Sequence, residues 1–417
     1  MRKVSGLVGV LAMGLWCVSA AMGAMAGAKA AAPAADEWPC WQGPEHDNKS
    51  PDKGLLKEWP AGGPKLIWQA TGIGRGFSTV SVSGDKVYTS GDLNGRLTVF
   101  AFDMTGKQLF KIDIDNEFTN QAGSRSTPTI DSGKLYIISG HGIVGCFDAA
   151  TGAKVWSRTM REFGGGAGGW GYAESVLIQG NGALVKPGGQ NCIVALNKAT
   201  GATIWTSKGF SGGPEYGSIT PFTFGGEACL VAGTAGGIAC FDANTGTALW
   251  SNGFSSGDTA NCPTPAYSDG HVFWATGYGK GGICFRLAQA GGKVTATQAW
   301  TSGEFDCYHG GYVIDNGYIY GNAGGGWICV DLKTGQRKWR DNGVGKGSLC
   351  WADGMLYLFS ENNGLAGLAT ATPDKFEMKG KFNVKGSGPS WAHPVVVGGR
   401  LYLRYDTNLY CFDVKAQ

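Results

Sequence analysis

In this chain of 417 residues, 43% are hydrophobic, enough to bury a large core, which excludes a disordered polar chain. A net charge of +3 with no basic run gives no electrostatic case for a nucleic-acid partner. The 72 glycines follow no collagen period; with only 16% charged residues they suit many short strands joined by tight turns.

The first residues read as an export signal. Arg2 and Lys3 precede a largely apolar run from Val4 to Ala21, and Ala24-Met25-Ala26 has the small-x-small form of a cleavage site. Residues 1–26 are therefore expected to be removed, leaving a periplasmic or extracellular protein with no membrane span. Cys17 follows Trp16, which argues against lipid attachment there. Residues 27–63 are expected to form an Ala-rich linker and an irregular segment holding Trp38, Trp41 and Trp59, clamped on the surface of the main domain. An aromatic binding patch is the functional alternative for those tryptophans.

Residues 64–417 are expected to form one repeating domain. Lys65 to Ala70 reads as a strand with no repeat before it. From Phe77 the chain alternates strand and turn in units of four strands, here A to D. One stretch carries the pattern most fully: Ala239-Cys240-Phe241-Asp242, then Thr245-Gly246, then Trp250. It returns with Asp148, Gly152 and Trp156, with Asn197, Gly201 and Trp205, and with Asp331, Gly335 and Trp339. The acidic or amide residue accepts hydrogen bonds from turn amides, glycine takes a conformation costly for other residues, and tryptophan packs on the next unit with its N–H on backbone. The fifth and seventh units lack the Asp-x-x-Thr-Gly turn. The eighth ends at Val414 without a D strand, and the orphan first strand fits that vacancy. The expected fold is all-β: an eight-bladed β-propeller of four-stranded antiparallel blades, its N-terminal strand completing the last. A seven-bladed ring is the alternative, should one weak unit be an insertion.

Cys146, Cys240, Cys329 and Cys411 share one repeat position and read as small core residues. A cross-strand pairing of Cys229 with Cys240 is the disulfide alternative. No His/Cys spacing suggests zinc. His141 and His271 read as surface or core histidines.

The pattern Asp-x-x-Thr-Gly-x-x-x-x-Trp resembles the tryptophan-docking repeat of pyrroloquinoline quinone (PQQ)-like propellers. That resemblance covers roughly residues 64–417. It implies the fold, shared by quinoprotein alcohol dehydrogenases that bind PQQ and Ca²⁺ and by BamB-like exported proteins without catalysis. It does not imply the cofactor.

Chemistry is expected in the D-to-A connections, which gather at one mouth of the central channel. Arg75, Arg125, Trp170 and Trp391 are the candidates for cofactor binding, and Glu174 and Asp306 for catalysis. The Gly-rich loop Gly164 to Gly171 is a candidate lid. No metal site is assigned. The sequence favours an exported, non-catalytic scaffold binding a protein, peptide or glycan at this mouth. The alternative is a PQQ-dependent oxidoreductase of small alcohols or sugars, although the chain lacks an adjacent Cys-Cys pair and a Cys-x-x-Cys-His haem motif.

Overall fold

The computed structural model describes residues 1, 36–257 and 260–416. The expected signal peptide falls on residues outside that range, apart from residue 1. Eight antiparallel sheets follow one another round the ring, each with four blade strands. Blade 1 comprises Ser81–Ser83, Lys86–Leu93, Arg96–Asp103 and Gln108–Asn116, and blades 2 to 7 repeat this order as far as Met378–Asn383. Blade 8 supplies Val395–Val397, Arg400–Tyr405 and Asn408–Asp413, and Lys65–Thr71 pairs antiparallel with the last of these. The first strand thus closes the ring as its vacancy predicts, and no blade is an insertion.

The repeat's residues explain how blades adhere. In blade 4 the Asp242 carboxylate accepts the amides of Asn244 at 3.0 Å and Thr245 at 2.7 Å, and the Thr245 hydroxyl at 2.9 Å. Asp148 and Asp331 hold their turns in the same way. The following glycine sits at positive φ and serves as a pad for the preceding blade, for a tryptophan at Gly246 and Gly335 and for Ile112 and Phe110 at Gly152. A Cβ on Gly335 (φ 72°) would stand 2.6 Å from the Trp300 ring, and one on Gly201 (φ 74°) would stand 2.9 Å from Trp156.

Each of these tryptophans lies opposite a small residue on the neighbouring strand. Trp68, Trp156, Trp250, Trp300 and Trp339 face Cys411, Cys146, Cys240, Cys284 and Cys329, while Trp205 faces Ala195. A small partner leaves room for the indole on that face of the strand pair. The ladder shifts register immediately beside each pair, so the residue before the tryptophan is turned outward. Ile67, Val155 and Ile204 are exposed for this reason.

The indole N–H behaves as expected in four cases. Trp68, Trp156, Trp300 and Trp339 donate to the carbonyls of Met104, Lys198, Leu332 and Thr372, at 3.1, 2.9, 2.9 and 2.8 Å, all on the next blade. Trp205 and Trp250 have no such partner. Trp250 faces blade 5, whose outer strands run ten residues each and lack the Thr-Gly turn. All eleven described cysteines are free thiols, Cys229 and Cys240 included. Those two meet side by side in the core between blades 4 and 5.

Gly335→Ala is expected to cost about 2–4 kcal/mol, from the left-handed backbone and the displaced Trp300 ring together. Gly253→Ala, with negative φ and open space around its Cβ position, is the neutral comparison. Urea unfolding of the two variants checks the contrast.

Candidate functional site

The inner strands are joined round the channel by a belt of hydroxyls. The Thr79, Thr127, Ser175 and Ser218 amides donate to the side chains of Thr127, Ser175, Ser218 and Thr264, at 3.0–3.1 Å. Across the closing blades, Thr79 and Ser348 hydroxyls donate to the carbonyls of His393 and Ala392. A hydroxyl at this position both accepts and donates, so it satisfies backbone groups that a continuous sheet would otherwise bond.

The N-terminal segment does not lie on the outer surface. It runs across the channel end where strands A finish. Trp38 exchanges backbone hydrogen bonds with Val82 at 2.8 and 2.9 Å, and the Pro39 carbonyl accepts from Ile130 at 2.7 Å. Lys49–Ser50 pairs parallel with Trp351–Ala352 of blade 7, and the Trp59 amide bonds Lys379. Trp38 is fully buried. Between these anchors Trp41 enters the channel. Its N–H donates to Thr264 of the belt at 3.2 Å, and its ring meets the edge of His393 at 4.7 Å.

Above Trp41 lies a cup of about 330 Å³, opening at the mouth formed by the D-to-A connections. Its wall is mainly aromatic: Phe77, Trp170, Tyr216, Tyr278, His309 and Trp391, with Arg125, Gln121 and Cys262 among them. Trp391 stacks on His309 at 4.0 Å with 12° between planes, and Phe77 packs on Trp391 at 4.3 Å. Trp170 leans on Tyr216 at 5.7 Å. Tyr278 stands at the lip, 46% exposed, with φ 62°. Left-handed backbone is uncommon for a bulky residue and concentrates at functional positions. The Asp306 carboxylate holds this turn by accepting the Gly279 amide at 2.9 Å.

Of the candidates named from sequence, Arg125, Trp170 and Trp391 meet in the cup. Arg75 is exposed outside it, bridged through its backbone to Asp92. Asp306 supports the lip from behind. Glu174 is buried beneath the wall, in the connection before Leu177–Gln179, between Ala173 and Ser175 that face the cup. One of its oxygens accepts the Lys186 amide at 2.6 Å and the other has no partner. The Lys186 ammonium turns instead to the carbonyls of Glu215, Gly217 and Gly233, tying blade 3 to blade 4. Arg404 has the same role between blades 8 and 1, donating to the carbonyls of Gly74, Ser78 and Ser90. Trp41, Tyr278 and Cys262 complete the cup without having been assigned to it. The one available signal was the Trp-Pro-Cys-Trp run, whose tryptophans read as a surface clamp.

Burial displaces the wall's titratable groups towards their neutral forms. His393 is neutral: burial pushes it down to about 4. Its Nε2–H donates to the His309 carbonyl at 2.9 Å, and its Nδ1 accepts from the Asn48 amide at 3.3 Å. Burial likewise lowers His309. Behind it, burial works to raise Glu361, but His309 and Lys346 outweigh this and leave that carboxyl below its ordinary range. Lys346 bonds Glu361 at 3.2 Å and lies over the Tyr308 ring at 3.9 Å. Burial pushes the Cys262 thiol up to about 12, far from a nucleophilic thiolate at neutral pH.

PQQ with Ca²⁺ is a poor match to this donor set. Ca²⁺ takes six or more oxygen ligands, commonly carboxylates, and the quinone's own carboxylates need several cations. The cup wall carries no Asp or Glu and a single Arg. Among the described residues no group of three or more His, Cys, Asp or Glu is placed to hold a metal ion.

Comparison with known proteins bears on the family. The profile described as outer membrane protein assembly factor BamB matches residues 59–186 and 189–302, more than half of the chain. The chain belongs to this BamB family. It is 30% identical over 199 residues to outer membrane protein assembly factor BamB of Burkholderia pseudomallei (strain K96243), covering 46% of this chain and 48% of that protein. It thus spans about half the length of the curated relative it matches. Among solved structures, BamB from Moraxella catarrhalis superposes with a TM-score of 0.61 at 16% identity, over 84% of this chain and 98% of that one. Quinohemoprotein alcohol dehydrogenase from Comamonas testosteroni superposes with a TM-score of 0.66 at 14% identity, over 91% and 81%. At these identities the superpositions establish the propeller fold alone. Among the described residues no helix is long and apolar enough to cross a membrane.

Burial holds the Glu174 carboxyl up to about 7, against an ordinary 4.5. From pH 4.5 to 7 the folded protein keeps a proton that the unfolded chain has released, so this group's contribution to stability declines as pH rises. Glu174→Gln keeps the acceptor for Lys186 and removes that decline. The variant is expected to match the parent at pH 4 and to exceed it by about 2–3 kcal/mol at pH 8. Urea midpoints at the two pH values check this; an equal difference at both would contradict it.

Proposed function

We propose that this protein is an exported, non-catalytic propeller whose aromatic cup docks a segment of another protein, in the service of outer-membrane protein assembly. The observation that carries the reading is the blind cup: a mainly aromatic wall, a tryptophan floor and titratable groups kept neutral by burial. Aromatic anchors in a rigid, desolvated recess are the feature that dominates protein docking. The family match and the name of the Burkholderia pseudomallei relative supply the assembly context. The run from Arg2 to Ala26 supplies the case for export. A glycan is a weaker match, because the wall offers few polar groups to read hydroxyls.

Extended peptides with a central Phe, Tyr or Trp are expected to bind saturably, read by calorimetry, and their alanine counterparts to bind weakly. Trp391→Ala and Trp170→Ala are expected to weaken binding at least about tenfold, each removing one aromatic wall. Stoichiometric binding of added PQQ and Ca²⁺ with dye-linked alcohol or sugar oxidation would overturn the scaffold reading in favour of an oxidoreductase.

A further inference from the structure

Arg125 is the one charged side chain among the cup's lining residues, and the carboxylate that acts on it, Asp92, does so from beyond ion-pair distance. Half-buried at the wall, it lies 5.8 Å above the Phe77 ring. Two of its nitrogens donate to its own loop, one to the Gly123 carbonyl at 3.1 Å and one to the Gln121 carbonyl. These bonds fix the guanidinium and use two of its five N–H groups. Among the described residues it makes no ion pair within 4.0 Å, whereas Lys346, the other cation nearby, is paired with Glu361 at 3.2 Å. The neighbouring carboxylates are engaged elsewhere. Asp306 holds the Gly279 amide, Glu215 accepts the Asn261 amide at 2.7 Å, and Asp92 accepts the Gly123 amide at 3.0 Å while acting on Arg125 only through space.

A held, partly desolvated cation with no counter-ion in contact gains from a ligand that supplies the opposite charge. Guanidinium offers a planar fork that matches a carboxylate. The aromatic wall adjoining it accepts a ring. At about 330 Å³ the cup is at the small end of ligand sites, room for one aromatic side chain and an acid group beside it. The floor is closed by Trp41 but the mouth is open, so the remainder of a longer chain can stay outside. The exposed, left-handed Tyr278 stands where such a chain would leave.

We propose that the cup selects an anionic aromatic segment: a peptide whose Phe, Tyr or Trp side chain enters the cup and whose adjacent carboxylate pairs with Arg125. This rests on the docking reading of the same cup and adds the charge requirement. The carboxylate is either a chain terminus or a neighbouring Asp or Glu side chain.

The test uses the full exported protein and two matched probe pairs, followed by calorimetry. Acetyl-Gly-Gly-Phe is compared with its C-terminal amide, and acetyl-Gly-Asp-Phe-Gly-amide with its Asn counterpart. At least one acid is expected to bind about tenfold tighter than its neutral partner, and the pair that discriminates identifies the source of the carboxylate. That preference is expected to shrink to less than about threefold in Arg125→Gln and to fall with added salt in the parent protein. Arg125→Lys, which keeps the charge without the fork, is expected to recover part of it and so separates loss of charge from loss of fold. Equal affinity for acid and amide in both pairs overturns the charge requirement while leaving aromatic docking intact. No binding by any of the four overturns both readings. Tight binding of free N-acetylphenylalanine alone, with the peptides excluded, overturns the peptide assignment in favour of a small aromatic acid.

Discussion

Everything in this ring depends on how one blade holds the next, and at four junctions that hold is a tryptophan laid on a glycine: Trp68 on Gly106, Trp156 on Gly201, Trp205 on Gly246 and Trp300 on Gly335. The contact needs three residues from two blades. A small residue opposite the tryptophan leaves it room, as Cys329 does for Trp339. A Thr-Gly turn on the following blade provides the flat pad, as Gly335 does for Trp300. A free carbonyl there accepts the indole N–H, as Leu332 does at 2.9 Å. The four complete junctions, those of Trp68, Trp156, Trp300 and Trp339, combine burial of a large ring with one directional bond, so they fix the angle between blades as well as their affinity. The junctions that lack a part show what each contributes. Trp205 and Trp250 still pack but leave their N–H groups without a partner. Leaving such a buried donor unpaired costs about 1–3 kcal/mol.

This outer hold frees the inner strands for another purpose. Because cohesion is supplied at the rim, strands A need only short hydroxyl links to stay in register around the channel. Their remaining faces and the loops before them then vary from blade to blade. The cup is built from that variation, with Trp170 before blade 3, Tyr216 before blade 4, His309 before blade 6 and Trp391 before blade 8. The N-terminal segment converts an open channel into a blind recess. The same Thr264 hydroxyl that links blade 4 to blade 5 also receives the Trp41 indole, so the floor is tied to the belt itself.

The division between what was legible in the sequence and what was not follows the same line. The repeat was legible because its parts are close in sequence: Asp242, Thr245, Gly246 and Trp250 lie within nine residues. The closure of the ring was legible because one strand was missing and one was spare. The cup was only half legible. Arg125, Trp170 and Trp391 were identifiable as belonging to the mouth connections, but which side chains turn inward is decided by the alternation of the backbone along them. A shift of one residue sends Glu174 into the blade while Ala173 and Ser175 face the cup. Trp41 was not legible as a floor. Its position depends on a coil with Gln42, His46 and Asn48 all at positive φ, a path that no periodicity announces.

The docking proposed for the cup is consistent with the protonation of the groups that face it. A catalytic site in a low-dielectric recess needs at least one group poised to give or take a proton near neutral pH. Here the two buried carboxyls that burial raises towards neutrality, Glu174 to about 7 and Asp92 to about 6, are both absent from the cup's lining. The groups that do face the cup are displaced away from neutrality: His393 downward with both nitrogens bonded, Cys262 and Tyr216 upward. Burial drives all three shifts, and each leaves its group uncharged. Arg125 is then the permanent charge in an otherwise neutral aromatic recess. That arrangement concentrates recognition on two properties of whatever enters, a flat apolar face and a negative charge.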